Sequence, residues 1–539
     1  MYYLRRITIL FAVLASVSFL AWFLPRYLNP SPPDPAKQRE DRRWVNSSPY
    51  WLDRQACRWL SLCGVHHLSW DPAFLVPHND SDAGELRLEL RSLDGRHTGW
   101  ETAPRKRSPR DDKEERRRIL KEIPNYVLEY APLVHLYSGE NFWPSDIAEH
   151  IRHMTPYLEK DALNRSLALS DMHELNKEDG MVYLTSDDDV EQRPEWLYSH
   201  VAIPEPWDDE ADDDSSDGHD NTDRPSEDSD HPPPPTEDTT WFDVSRDHPV
   251  NRISDPRRLA PQFAPSSALT GGFHLRRRDQ GQKPIPDTPT HKPNQEGYSK
   301  APAVLVLVDK GSGIVDAFWF FFYSYNLGQT VLTIRFGNHV GDWEHCMMRF
   351  ENGVPRGIFF SEHEGGQAYT YNAVEKRGIR PVIYSAVGSH AMYAQAGDHP
   401  YVLPFGMLKD VTDKGPLWDP AKNAYTYWYD YAQDLDEDLD LDLDGEVDVA
   451  SGHRKENPTS LVPTAENPDA PTSWFHYAGP WGDKLYSLAD MRQWRLFAQY
   501  HYVSGPLGPK FKRLDREKLC ITSRCRILNS LKPGQTWYN

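Results

Sequence analysis

Short apolar segments separated by turn-forming residues restrict the fold of this chain more than any other feature. Six of them lie in one stretch: Ala303 to Val308, Ile314 to Tyr325, Val331 to Phe336, His345 to Phe350, Gly357 to Glu362 and Val382 to Val387. The pair Asn352-Gly353 between two of them is a strong hairpin signal. Strands of this length and spacing, with 18 tryptophans and 27 tyrosines, favour an antiparallel β-sandwich with a few helices.

Two acidic, proline-rich segments interrupt this pattern, at about residues 207–299 and 434–472. Such segments cannot bury a core, so we predict disordered insertions within one β-rich domain of residues 122–539. Residues 31–121 are predicted to form a stalk and a charged lead-in. The net charge of -21 argues against a nucleic-acid partner, which would require a basic face.

The N-terminus carries a membrane signal. The run from Ile7 to Leu24 is uncharged and about as long as a bilayer is thick. A cleaved signal peptide is the alternative, but its apolar core is usually shorter, and Trp22-Phe23 is more typical of an interfacial anchor than of a cleavage site. We therefore predict a signal anchor within residues 1–30, in a single-pass protein whose basic residues on both sides leave the orientation open.

Glycosylation triplets and cysteines favour a lumenal or extracellular body. The triplets begin at Asn46, Asn79 and Asn164. Cys57 with Cys63, and Cys520 with Cys525, can each close a small disulfide loop, or the two pairs can cross-link the ends of the domain. Cys346 lies in an apolar segment and is expected to be a buried thiol.

The segment GNHVGDWEH from Gly337 concentrates groups that bind metals. Strand alternation places Asp342 and Glu344 on one face and Trp343 in the opposite layer. His339 joins the carboxylates only if the chain turns at Gly341. One imidazole and two carboxylates suit a divalent cation, whereas the alternative is a surface loop with solvated acids.

Later loops add further polar candidates, which we expect at one end of the sheets. They are Ser389, His390, Asp398 and His399. Ser389 lacks the residue pattern of a nucleophile elbow, so a hydrogen-bonded turn is the simpler interpretation.

Several motifs in the same order resemble the fungal family of vacuolar protein sorting-associated protein 62. They are YAPLVHLYSGENFWPSDI from Tyr130, VYLTSDDDV from Val182, GNHVGDWEH, RPVIYSAVGSHAMYAQAGDH from Arg380, LWDPAKNAYTYWYD from Leu417 and GPLGPKFKRL from Gly505. The resemblance implies a single-pass protein of the endomembrane system or vacuole, linked to protein delivery to the vacuole. It implies no chemical activity.

GNHVGDWE also resembles the heptapeptide of the necrosis-inducing cytolysin-like proteins, which are β-sandwiches that bind a divalent cation. The resemblance implies that His339, Asp342 and Glu344 are ligands. Phe360 to His363 is similar to a Ser-x-His segment of that family, which adds His363. A further Asp ligand of the family has no match here, and the nearest candidates are Asn326 and Asp316.

Three functions remain open on the sequence. The first is binding of a lipid headgroup or glycan through Mg²⁺ or Ca²⁺, with the membrane as partner through the N-terminal helix. The second is a metal-dependent hydrolase with His363, His390 or Glu362 as proton acceptor. The third is a non-catalytic adaptor whose acidic insertions recruit sorting machinery. Without a nucleophile motif, binding is favoured over catalysis.

Overall fold

The fold is mainly β with few helices, as predicted. The computed structural model describes residues 2–28, 34–69, 121–198, 297–331, 333–363, 365–401, 408–434, 459–522 and 525–531. The α-helices in these ranges are α1 (Tyr2–Leu28), α2 (Pro35–Asn46), α3 (Trp51–Leu60), α4 (Asn125–Glu129) and α5 (Ile147–His150). Short 3₁₀ turns lie at Val65–His67, Ile151–His153, Met172–Lys177, Val190–Gln192, Glu195–Tyr198, Tyr371–Ala373, Pro420–Lys422, Tyr431–Gln433, Ser473–His476 and Pro509–Phe511.

The strands vary from two to thirteen residues, and the longest lie near the middle of the chain. The first twelve are β1 (Leu62–Cys63), β2 (Leu133–His135), β3 (Met154–Leu158), β4 (Asp161–Ala162), β5 (Val182–Ser186), β6 (Ala303–Gly311), β7 (Ile314–Asn326), β8 (Gln329–Val331), β9 (Ile334–Phe336), β10 (His339–Glu351), β11 (Val354–Glu362) and β12 (Gly365–Thr370). The others are β13 (Lys376–Arg377), β14 (Arg380–Ser385), β15 (Met392–Tyr393), β16 (Gly397–Pro400), β17 (Lys409–Thr412), β18 (Leu417–Trp418), β19 (Ala424–Tyr429), β20 (Leu461–Pro463), β21 (Arg495–Leu496), β22 (Gln499–Tyr500) and β23 (Ile527–Leu528).

An eight-stranded sheet, the large sheet, organises the molecule in the order β20-β19-β6-β7-β10-β11-β12-β23. Its middle is antiparallel, and tight hairpins join β6 to β7 and β10 to β11, the second through the predicted turn at Asn352-Gly353. The hairpin β8-β9 lies between β7 and β10 in the chain. Towards the edges, β19 pairs with β6 in parallel and β23 pairs with β12 in parallel. The sheet is therefore mixed, and its outer strands come from distant parts of the chain.

Both faces of the large sheet are buried. In β7, Phe318 and Phe320 lie in one apolar cluster, whereas Trp319 and Phe321 lie in a second cluster on the opposite face. All thirteen residues of β7 are buried. A strand covered on both sides needs a nearly continuous apolar sequence, which explains the run FWFFFY.

Different kinds of structure cover the two faces. A five-stranded sheet of β13, β14, β2 and β18, with β15 beside β14, contributes Val134, Ile383 and Trp418 to the cluster that contains Trp319. The other face is packed by the loops and turns that carry Trp474 and Trp481. The prediction of a β-sandwich is thus not confirmed, because the large sheet lies between two covering layers.

The N-terminal part forms a small helical unit on a separate sheet. Helices α2 and α3 pack through Trp44 and Cys57 against Leu488, next to the sheet β1-β21-β22. Helix α1 is formed by residues of the predicted signal anchor. Among the residues that the structure describes, no helix combines the length and apolar character needed to span a membrane, and the predicted single-pass topology is not confirmed.

The predicted insertions lie largely outside the described residues, at 199–296 and 435–458. Residues 459–472 belong to the second predicted insertion, and their strand β20 pairs with β19 at the edge of the large sheet. Two disulfides are formed, Cys57–Cys63 and Cys520–Cys525, and Cys346 is a buried free thiol.

Candidate functional site

The motif GNHVGDWEH leads into and forms the first half of β10. Asp342 lies opposite Tyr323 in the ladder, and Glu344 lies opposite Phe321. Both carboxylates are on the face covered by the five-stranded sheet, and both side chains are almost completely buried. Trp343 points to the other face, where its ring lies 4.7 Å from that of Phe322.

The predicted turn at Gly341 is not formed, because Gly341 lies within β10 and the ladder with β7 keeps its register from Val340 to Asp342. Gly341 has φ +67°, and a Cβ atom there would lie 2.1 Å from the carbonyl oxygen of Trp481. His339 Nδ1 donates to the carbonyl oxygen of Gly341 at 2.7 Å. Burial lowers the pKa of His339, although the Asp342 carboxylate acts in the opposite direction. The half-buried imidazole is therefore turned towards its own backbone.

Asp342 is held by a histidine that the sequence placed in a loop. His390 Nδ1 lies 3.0 Å from Asp342 Oδ2, and His390 Nε2 lies 3.0 Å from the carbonyl oxygen of Phe142. The His390 ring stacks on Tyr323 with centroids 3.7 Å apart. Both ring nitrogens thus face oxygen acceptors, and the stacking fixes their direction.

Glu344 lies beside Asp342 on the same face of β10. The hydroxyl of Ser361 donates to Glu344 Oε2 and accepts from the backbone N–H of His345 at 2.8 Å. Burial raises the pKa of Glu344 well above its usual value, and the nearby charge of Asp342 raises it further. Both effects favour the protonated, neutral form of Glu344.

A second acidic centre lies at Asp410 on β17. His363 Nε2 and the Tyr393 hydroxyl each lie 2.7 Å from Asp410 Oδ2, and the Ser389 hydroxyl lies 2.7 Å from Oδ1. Burial raises the pKa of Asp410, but the charge of His363 and these hydrogen bonds lower it more. Glu362 lies close by, and its pKa is raised by burial and by the Asp410 charge.

The remaining candidates have separate local roles. The Asn326 amide donates to the carbonyl oxygen of Gly337 at 2.7 Å. Asp316 forms a two-point ion pair with Arg349, far down β7 from the motif. Asp398 is exposed and contacts Lys409, whereas His399 is buried against Tyr393.

The structure therefore brings Asp342 together with Glu344 and His390, and His363 together with Asp410. Within the described ranges, no three His, Cys, Asp or Glu side chains form a group able to hold a metal ion. His339 and His363 are engaged elsewhere, so the predicted four-ligand set does not converge.

Two residues of the site were missed from the sequence. Glu140 Oε2 accepts from the backbone N–H of Gly388 at 2.7 Å, which ties the loop of His390 to residue 140. Asp410 lies in an undistinguished stretch, KDVT, and no local pattern marks it. The acidic Glu140 within YSGENFWPSDI was a signal that could have been used.

The predicted glycosylation sites differ in their settings. Asn46 ends α2, and its side-chain oxygen accepts from Arg58 at 2.5 Å. Asn164 is exposed in the segment after β4. Asn79 lies outside the described residues.

Comparison with known proteins identifies the family. The profile described as vacuolar protein sorting-associated protein 62 matches residues 310–409, which include β7, β10 and β11. A Saccharomyces cerevisiae protein of that name is 30% identical over 430 residues, covering 74% of this chain and 68% of the relative. This chain belongs to the vacuolar protein sorting-associated protein 62 family.

A second Saccharomyces cerevisiae protein is similar to this chain over the same share of its length. It is TDA6, whose name describes it provisionally as a vacuolar protein sorting-associated protein. It is 32% identical over 439 residues and again covers 74% of this chain and 68% of the relative. No solved structure matches the chain.

Proposed function

We propose that this protein acts in the sorting of proteins to the vacuole. The observation that carries the proposal is the similarity to the protein named vacuolar protein sorting-associated protein 62, which extends over 74% of the chain. The family profile matches residues 310–409, which include Asp342 and Glu344.

We further propose that the site recognises a polar ligand with the help of a divalent cation. The supporting observation is the pair Asp342 and Glu344, two adjacent buried carboxylates whose mutual repulsion raises the pKa of Glu344 in addition to burial. A cation between them would relieve that repulsion. Because no three potential ligands lie together among the described residues, the remaining oxygens would come from the ligand, a headgroup or a glycan.

The contacts of Ser389 do not support a hydrolase with a serine nucleophile. The Ser389 hydroxyl donates to Asp410, and His363 bonds the same carboxylate instead of the serine. A serine nucleophile needs a histidine within hydrogen-bond reach to accept its proton. This pairing leaves neither residue arranged for that step.

The direct test is cation binding by the purified full chain. Calorimetric titration with Ca²⁺ and Mg²⁺ should detect binding that is lost in D342N and E344Q. D398N is the matched control, because Asp398 is an exposed carboxylate outside the pair, and it should bind as the unmodified protein does. Equal binding by all variants, or none by the unmodified protein, would refute the cation site.

The cellular test uses fungal cells that lack this gene. We expect the unmodified gene to restore delivery of a vacuolar hydrolase, measured as the fraction retained in cells rather than secreted. D342N with E344Q should restore less than D398N if the site serves sorting. Normal delivery in cells without the gene would refute the sorting role but would leave cation binding to be judged separately.

Membrane anchoring with a lumenal body completes the proposal. It is supported by the apolar run Ile7 to Leu24 and by two disulfides, which form in oxidising compartments. Removal of N-linked glycans from the cellular protein should increase its gel mobility, and N164Q should abolish part of that shift. A mobility that does not change on glycan removal would contradict a glycosylated lumenal body.

A further inference from the structure

An exposed apolar face lies on α3 and on the turns that flank it. Its side chains are between 43% and 74% exposed, and they are Tyr50, Trp51, Leu52, Trp59, Leu60 and Val65. The opposite side of α3 is buried through Asp53 and Cys57. Large apolar side chains concentrated on one exposed face are typical of an interaction surface.

The spacing of these residues makes the face continuous. Residues 51, 55 and 59 follow one another at intervals of four along α3, as do residues 52, 56 and 60. Trp59 Nε1 lies 3.2 Å from Gln55 Oε1, which holds the indole along the first of these rows. The ring of Tyr50 lies 5.0 Å from that of His66, so the turn after α3 joins the same surface.

The face belongs to a fixed structure and not to a frayed helix. The disulfide Cys57–Cys63 closes the end of α3 onto β1. Asp53 Oδ1 accepts from the backbone N–H of Gly64 at 2.7 Å, beneath the helix. The apolar side chains are therefore held outward by the packing of the opposite side.

Helix α1 places a second apolar surface next to this one. It contacts α3, and its described apolar side chains are exposed, with Phe11 at 75% and Ile7 at 63%. The face of α3 remains exposed although α1 lies against the same helix. The two surfaces adjoin, so one apolar environment can cover both.

The chain segment that carries the face is basic, in contrast to the chain as a whole. Between Asp34 and Leu60 there are six basic and four acidic side chains, whereas the net charge of the chain is -21. Two of these acids are engaged, since Asp53 is buried and Asp41 accepts from Arg495 at 2.5 Å. Basic side chains beside an apolar face attract anionic headgroups.

We propose that the face of α3 lies in the headgroup region of an anionic lipid bilayer. Tryptophan and tyrosine prefer this depth, because an apolar ring can be buried while its polar atom stays hydrated. The contact would hold the folded body against the membrane surface, beside α1. This inference does not depend on the cation site.

The test places a fluorescent reporter on the face in the full chain. L52C and, separately, W59C are labelled with a dye whose emission shifts to the blue in an apolar environment. The native Cys346 is buried, and the other four cysteines are in disulfides, so the new thiol is the reactive one. M181C is the matched control, because Met181 is also exposed but lies beside β5.

Protein reconstituted with phosphatidylcholine vesicles containing phosphatidylserine should show a blue shift at residues 52 and 59 but not at residue 181. Spin-labelled lipid should quench the two shifted labels. Solvent-like emission from all three labels would overturn the proposal. A shift that appears without lipid and grows with protein concentration would overturn it in favour of a second copy of the chain.

Discussion

Glu344 shows how one side chain carries the chemistry of the site. Its folded-state pKa is raised by burial and by Asp342, so the native state holds a proton that the unfolded chain releases near the ordinary value of 4.5. The stability from this proton is complete below that value and is lost as pH rises through the folded-state pKa. A neutral side chain of the same shape, such as glutamine, would not lose stability as the pH rises.

We therefore predict that E344Q is more stable than the unmodified protein at pH 8 in the absence of divalent cations, by roughly 1 to 3 kcal/mol. The difference should shrink towards pH 5. Denaturant unfolding across this pH range, in a chelating buffer, measures it. E517Q is the control, because the side chain of Glu517 is exposed, and it should follow the unmodified protein at every pH.

The ion pair of Asp316 with Arg349 is a second single-residue feature. Both side chains are fully buried, and Arg349 Nε and Nη2 lie 2.6 and 2.7 Å from the two carboxylate oxygens. Removing one partner leaves a buried charge without its counter-ion.

We expect D316N to lower the free energy of unfolding by about 3 to 5 kcal/mol. K414A, which breaks the pair of Lys414 with Glu375 at a side chain 60% exposed, should cost less than about 1 kcal/mol. Thermal or denaturant unfolding compares them. Similar decreases in the free energy of unfolding would show that the buried ion pair contributes no more to stability than the exposed one.

At the scale of single elements, Gly341 determines how β10 begins. Its positive φ and its contact with the Trp481 carbonyl leave no room for a side chain. Gly378, in the turn between β13 and β14, has φ +57° and nothing within 4 Å of an added Cβ atom. The two glycines thus separate backbone strain from steric collision.

G378A should cost about 1 to 2 kcal/mol, from the left-handed conformation alone. G341A should cost more than about 3 kcal/mol, because Trp481 must also move. Unfolding curves of the two variants give the comparison. Equal costs would mean that the strand adapts to the added methyl group.

The orientation of side chains at the start of β10 could be predicted from the sequence, but the residues that contact them could not. Alternation along a strand and the freedom of a glycine are local properties, so the shared face of Asp342 and Glu344 follows from their spacing. Glu140 and Asp410 bond residues 388 and 389 of the His390 loop, and both come from distant segments of the chain. The pairing of β14 with β2 helps to bring these segments together. Local periodicity carries no information about which segments meet.

The layers on both faces of the large sheet were not predicted from the sequence, for a related reason. The apolar run of β7 suits a strand buried on both faces, but a two-layer sandwich was predicted from strand length and turn spacing. Parallel pairings such as β19 with β6 join segments separated by more than a hundred residues. Such pairings are decided by global packing and not by turn chemistry.

At the scale of the whole molecule, four of the five cysteines form two disulfides, and the fifth, Cys346, is a buried free thiol. We predict no alkylation of the native protein, one alkylated thiol after unfolding without reductant, and five after unfolding with reductant. Burial raises the pKa of Cys346 and shields it from reagent. Mass spectrometry of the intact protein counts the added groups, and more than one in the unreduced sample would contradict the two disulfides.

The outermost strand of the large sheet, β23, begins at Ile527, more than 150 residues after its neighbour β12 ends at Thr370. A ribosome shields the last few tens of residues that it has made, so β12 is synthesised long before its neighbour can emerge. The growing chain would therefore expose an open sheet edge at β12 until β23 has emerged. Shielding of that edge during translation is a natural task for chaperones in the compartment where the chain folds.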